Sequence, residues 1–156
     1  MIRNTTSDDK VALLAVAEAI GLFSPEDLEG FAGMMDEHLA AGTEGDDVWI
    51  TDDEDGLRGA AYYAPEPFAE GVWNLYFIGV HPQEQGKGRG SALMRHVETD
   101  LQKRGDRLLL VETSGKDDFA LTRTFYKKNG YTEEARIRDY YEDGDDKIIF
   151  RKVLKG

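Results

Sequence analysis

The segment Val80-His81-Pro82-Gln83-Glu84-Gln85-Gly86-Lys87-Gly88-Arg89-Gly90-Ser91 gathers residue types suited to holding an anion. Glycines at 86, 88 and 90 permit a tight turn whose successive main-chain N–H groups point into one cavity. A helix starting there adds unpaired N–H groups and the positive end of its dipole, and Lys87 and Arg89 add charge. The chemistry is that of a phosphate or pyrophosphate site. A P-loop would need G-x-x-x-x-G-K-[ST], and the dinucleotide fingerprint needs G-x-G-x-x-G, so neither ATP nor NAD is indicated. A second candidate is Glu112, which follows the apolar run Leu108-Leu109-Leu110-Val111 as a partly desolvated carboxylate suited to general-base work. Cysteine is absent, which excludes disulfides, thiolate-held zinc, iron–sulfur clusters and a cysteine acyl-enzyme. His38, His81 and His96 lack metal-ligand spacing. Thr51 and Tyr62 stand where an EF-hand loop needs its first and closing ligands, so no metal is expected.

These residues need elements to hold them. Ser7 can cap a helix with Leu13, Leu14, Val16, Ala17 and Ile20 at helical spacing, ended by Gly21. Ser24, Pro25, Glu26 and Asp27 form a second start signal, with Leu28, Phe31, Met35 and Leu39 along the buried side. From Asp47 the period changes: Val48 to Ile50 reads as a strand, Asp52 to Gly56 as a polar turn and Leu57 to Tyr63 as the partner strand. Ala64-Pro65-Glu66-Pro67 reads as a loop. Val72 to Val80 is nearly all apolar and reads as a central strand buried on both faces. The glycine turn leads into a helix carrying Ala92, Leu93, Val97 and Leu101, closed by Gly105. Leu108 to Val111 reads as a buried strand, and Phe119 to Asn129 as a short helix stopped by Gly130. Arg136 to Tyr141 and Lys147 to Leu154 read as a hairpin. With no internal repeat and no linker, residues 1–156 read as a single mixed α/β domain.

The net charge of −12 argues against nucleic acid as a partner, because neutralising phosphates takes a basic face. It is unevenly spread: residues 1–77 hold 17 acids and 3 bases, residues 78–156 hold 14 acids and 16 bases. The acidic half favours a cationic ligand and the slightly basic half an anionic one. The run Thr51-Asp52-Asp53-Glu54-Asp55 reads as a solvated turn. No stretch approaches the ~18–20 apolar residues of a membrane span, and the first residues lack a signal-peptide pattern, so the expected place is the cytoplasm, with no membrane partner.

Two motifs carry a family resemblance. Gln85-Gly86-Lys87-Gly88-Arg89-Gly90, behind Val80-His81-Pro82, matches Q/R-x-x-G-x-G/A after a strand ending V-x-P. Phe125-Tyr126-Lys127-Lys128-Asn129-Gly130-Tyr131 matches F-Y-x-K-x-G-[FY] at the end of a later helix. In this order the sequence resembles the GNAT superfamily of acetyl-CoA-dependent N-acetyltransferases. The resemblance implies an α/β fold with a mixed sheet of about six to seven strands, splayed in the middle, and about four helices. It implies acetyl-CoA as cosubstrate and a primary amine as acceptor, on a small molecule or a protein or peptide N-terminus. It implies that the amides from Gln85 to Gly90, with Lys87, Arg89 and Ser91, hold the pyrophosphate, and that the main chain of Ile78, Gly79 and Val80 pairs with the pantetheine arm. An open strand edge suits the amides of that arm. Phe119 and Thr122 stand where many members have N-x-x-A, so the usual asparagine contact is replaced. Tyr126 is implied as the acid protonating the departing thiolate. Glu112 matches a strand glutamate that serves as base in the subgroup acetylating ribosomal-protein N-termini, although two more residues separate it here from Tyr126. The N–H of Val80 would polarise the thioester carbonyl. Tyr140 and Tyr141 resemble a late-strand pair bordering the acceptor, and Asn74 and Tyr76 are further candidates there. Without cysteine, direct attack in a ternary complex is the economical mechanism. The alternative is a non-catalytic acyl-CoA-binding or regulatory domain of the same fold. Members of the family dimerise in several ways, which leaves a homodimer open.

Overall fold

The computed structural model describes residues 1–21, 23–42 and 45–154. Among the described residues, seven strands form one mixed sheet, and four α-helices accompany them. The strands are β1 (Ile2–Asn4), β2 (Val48–Asp53), β3 (Leu57–Pro65), β4 (Val72–Val80), β5 (Leu108–Ser114), β6 (Thr132–Glu142) and β7 (Asp145–Val153), in the order β1-β2-β3-β4-β5-β7-β6. The helices are α1 (Lys10–Ile20), α2 (Pro25–Ala41), α3 (Arg89–Lys103) and α4 (Ala120–Lys128). By its contacts the chain divides into two units, Met1–Ala64 with Phe77–His96, and Pro65–Tyr76 with Val97–Gly156.

In the first unit the cap of α2 follows the sequence: Ser24 Oγ accepts from the Asp27 N–H at 3.1 Å, and Pro25 takes the first helical position. The first helix begins differently. Ser7 to Asp9 form a 3-10 turn before α1, and Thr6 rather than Ser7 stands at its cap. The cause is Asp9, which accepts from the Thr6 N–H at 2.8 Å while Arg3 donates to it at 2.8 and 2.9 Å. Phe31 and Met35 of α2 pack with Leu13 and Ala17 of α1, Trp49, Ala60 and Phe77, and Phe31 meets Trp49 edge-on at 5.3 Å. A three-residue strand that the sequence does not announce, β1, pairs antiparallel with β2 from Ile2–Asp52 to Asn4–Ile50. β2, paired also with β3 as far as Asp53, runs beyond the expected Ile50, and Asp52 is 5% exposed. The acidic run is therefore more than a solvated turn.

In the second unit β5 runs antiparallel to β7 from Leu108–Val153 to Ser114–Lys147, and β6 pairs with the outer side of β7. β4 pairs in parallel with β5 from Val72–Leu108 to Leu75–Val111, and Ile78 to Val80 lie beyond that register. β4 is buried along most of its length, but Tyr76 is 49% exposed, so burial on both faces fails there. No helix of the described residues is long and apolar enough to cross a membrane.

Candidate active site

In the first unit the turn after β4 is built locally. His81 Nδ1 accepts from the Gln83 N–H at 3.2 Å, Pro82 to Glu84 form a 3-10 turn, and Gln85 Nε2 donates to the Val80 carbonyl at 3.1 Å. Gly86 and Gly88 follow at φ 78° and 83°, a left-handed backbone that favours glycine, and nothing lies within 4 Å of where a Cβ would stand. The chain is thus folded into an open cradle that enters α3 directly, with Gly90 and Ser91 in its first turn. This fits an anionic pyrophosphate held by main-chain N–H groups.

The charges at the cradle are already engaged. Arg89 Nη1 donates to Asp52 at 3.0 Å and to Glu54 at 2.9 Å, hydrogen bonds that raise its pKa above the usual guanidinium value. Lys87 binds Glu84 at 2.7 Å, and this contact holds the Glu84 carboxyl below its ordinary pKa. Lys87 and Arg89 thus bring positive charge to the loop, and in the folded protein both are matched with acids. A cavity of about 440 Å³ opens at this corner, with Met1, Asp52, Lys87, Gly88 and Arg89 in its wall.

The second unit holds the candidate acid–base groups. Tyr126 on α4 is 4% exposed, its ring against Phe150 at 5.6 Å and Tyr131 at 6.2 Å. Burial pushes its phenol well above the ordinary value, aided by the neighbouring Tyr141. Phe119 stands at the N-terminal end of α4, with Thr122 one turn along. Arg123 of the same helix spends its guanidinium on the Ser114 and Lys116 carbonyls at 2.7 and 2.9 Å. Glu112 on β5 is partly desolvated, with 24% of its side chain exposed, as its position after an apolar run implies. It is not alone, however. Asn74 Nδ2 donates to it at 2.7 Å and Lys147 Nζ lies 2.8 Å away. Burial alone would lower the Lys147 pKa, but the hydrogen bond to Glu112 reverses this and the net direction is upward. The Lys147 ammonium also sits 4.2 Å over the Tyr140 ring, which meets Tyr141 edge-on at 5.1 Å. The same Asn74 nitrogen donates to Glu66 at 2.7 Å.

The structure thus brings Asn74, Tyr76, Glu112, Tyr140 and Tyr141 into one network and adds Glu66 and Lys147, which sequence reading missed. Glu66 hides in a proline-broken loop, and Lys147 lies near the start of β7. Lys147 reaches Glu112 diagonally because Glu112 pairs with Ile149 in the β5–β7 ladder. Among the described residues no group of three or more His, Cys, Asp or Glu side chains is placed to hold a metal ion.

Comparison with known proteins follows the same lines. Residues 44–133 match the family model of the Acetyltransferase (GNAT) domain. A crystal structure of a GNAT-family protein from Desulfovibrio desulfuricans superposes with a TM-score of 0.93 at 37% identity, over 99% of this chain and 98% of that one. The ribosomal protein bS18-alanine N-acetyltransferase of Escherichia coli K12 is 34% identical over 71 residues, 46% of this chain and 47% of that protein. The match therefore spans about half the length of that curated relative. The PaiA N-acetyltransferase of Thermoplasma acidophilum, solved with coenzyme A, shares the fold at a TM-score of 0.77 and 21% identity, over 98% of each chain.

Proposed function

The chain belongs to the GNAT acetyltransferase family, and from that premise we propose that it moves the acetyl group of acetyl-CoA to a primary amine by direct attack in a ternary complex. The acceptor is a small molecule or a protein or peptide N-terminus. What supports the cosubstrate most is the Gln85–Gly90 cradle: left-handed, open at Gly86 and Gly88, and running straight into a helix N-terminus. Its main-chain N–H groups, with Ser91 beside them, bind the pyrophosphate. The backbone of Ile78, Gly79 and Val80 takes the pantetheine arm, and Phe119 and Thr122 are further cofactor-binding residues. Because Lys87 and Arg89 are matched by acids, the amides carry more of this task than the side chains.

In the reaction the acceptor nitrogen forms a bond to the acetyl carbon and the carbon–sulfur bond breaks. Glu112 takes the proton that the nitrogen loses. Tyr126, kept protonated by its burial, gives a proton to the departing thiolate. The Val80 N–H polarises the thioester carbonyl. Lys147 stays protonated as the counter-ion of Glu112.

The reading is tested by thermal unfolding with acetyl-CoA and by thiol release in the presence of amines. Saturating acetyl-CoA raises the Tm by mass action. Absence of any rise would overturn the cosubstrate assignment. A Glu112→Gln variant loses most of kcat; an unchanged kcat would remove Glu112 as base.

A further inference from the structure

Glu66 and Glu112 accept hydrogen bonds from one nitrogen, Asn74 Nδ2, each at 2.7 Å. Asn74 is 1% exposed, so this amide is fixed and the two carboxylates are neighbours. They are not equivalent. Glu112 has Lys147 as counter-ion at 2.8 Å, whereas among the described residues no Lys, Arg or His side chain pairs with Glu66. Its partners there, the Asn74 amide and the Tyr76 phenol, are neutral donors. An ionised carboxylate accepts about four hydrogen bonds, so Glu66 keeps unused capacity. A half-buried carboxylate without a cation is unfavourable, and a ligand bringing positive charge relieves it.

The geometry also selects the kind of cation. Asn74 turns its NH₂ group, not its carbonyl, between the two acids, which suits a hydrogen-bonding organic cation and not a metal ion. Lys147 displays what the surroundings accept: an alkylammonium against a carboxylate and over a tyrosine face. Tyr76, half exposed, extends that phenolic wall beside Glu66. The reacting nitrogen becomes a neutral amide once acetylated, so it cannot balance Glu66 throughout turnover. A second, non-reacting cation can.

We propose that Glu66 is a specificity-determining residue that binds a second positive charge on the acceptor. The substrate class is then an alkylamine carrying another ammonium or guanidinium group, and amines bearing a carboxylate are disfavoured. This rests on the acetyl-transfer reading above for its kinetics, but not for its binding. The test follows thiol release from acetyl-CoA with 1,4-diaminobutane, n-butylamine and 4-aminobutanoate. In the wild type the diamine has a KM about tenfold or more below that of the monoamine, and the amino acid has the highest. Glu66→Gln raises the diamine KM about tenfold, through KM rather than kcat, and leaves the monoamine KM within about twofold. The glutamine carbonyl can still accept from Asn74, so the variant retains the wild-type Tm without ligand.

Equal KM values for diamine and monoamine in the wild type would overturn the proposal, as would equal losses for both in the variant. The first comparison needs no variant at all. If the wild type acetylates none of the three, thermal shifts with 1,4-diaminobutane in the presence of coenzyme A decide. A rise in the wild type that is lost in Glu66→Gln upholds the subsite while the acetyl-transfer reading fails. No rise in the wild type overturns the subsite itself.

Discussion

Asp9 shows how a single side chain ties the start of the fold together. Arg3 donates to both its oxygens at 2.8 and 2.9 Å, and the Thr6 N–H adds a third bond at 2.8 Å. The hydrogen bonds from Arg3 outweigh desolvation and hold the carboxyl at about 2, below its ordinary 3.8. A carboxyl depressed in the folded state stabilises it above the unfolded pKa and loses that effect as pH falls through the folded one. The window is therefore from about 3.8 down to about 2, and the contribution at neutral pH is about 2 kcal/mol. Asp9→Asn is expected to lower unfolding free energy by about that amount at pH 7 and by little at pH 2, read from denaturant midpoints at each pH. A difference undiminished at pH 2 would show that the Arg3 pair is not its source. Tyr126 illustrates the opposite use of burial. Its phenol is pushed up by desolvation and stays protonated across the working range, so no alkaline fall in rate comes from it. Tyr126→Phe keeps the packing against Phe150 but removes the proton. The expected result is a kcat about a hundredfold lower with little change in Tm. Unchanged kcat would take the acid role from Tyr126.

At the scale of elements, β4 is packed densely where its last residues meet α1. A Cβ on Gly79 would stand 2.7 Å from both Ile20 Cδ1 and Phe77 Cζ, inside contact distance. Gly79→Ala is expected to cost about 1–3 kcal/mol, because the Phe77 ring sits in the core of its unit and has little room to give. A calorimetric Tm equal to the wild type's would show that Phe77 and Ile20 repack freely. The same elements show which signals are local. The Ser24–Asp27 cap, the β4 limits and the glycine turn were legible because each is written in adjacent residues. β1 was not, since three residues carry no period, and its partner β2 lies some fifty positions away. Glu66 and Lys147 were equally hidden. Their meaning comes from Asn74 and from the β5–β7 register, which no local pattern encodes. For the same reason the sequence shows Arg89 as charge at the loop but not its pairing with Asp52 and Glu54.

For the molecule as a whole, folding rearranges the charge pattern of the chain. Along the sequence the glycine turn belongs to the half with more bases than acids. In the folded protein it belongs to a unit with 16 acids and 6 bases, while the unit holding Glu112 and Tyr126 has 15 acids and 13 bases. Neither unit is cationic, and the net charge of −12 acts on every approaching ligand. Under the proposed function an anionic cosubstrate is repelled at long range and held at short range by amides, whereas the proposed cationic acceptor is attracted at both. Salt separates the two. Raising ionic strength from about 0.01 to about 0.15 M shortens the screening length from about 30 to about 8 Å. With Lys87 and Arg89 already matched by Glu84, Asp52 and Glu54, screening removes repulsion more than attraction for acetyl-CoA. The expectation is that kcat/KM for acetyl-CoA holds or rises with salt, while kcat/KM for a diamine acceptor falls. Initial rates at fixed pH, varying one substrate at saturating levels of the other, measure both slopes. A fall for acetyl-CoA as steep as that for the acceptor would mean that side-chain charge, not main-chain N–H groups, governs cosubstrate capture.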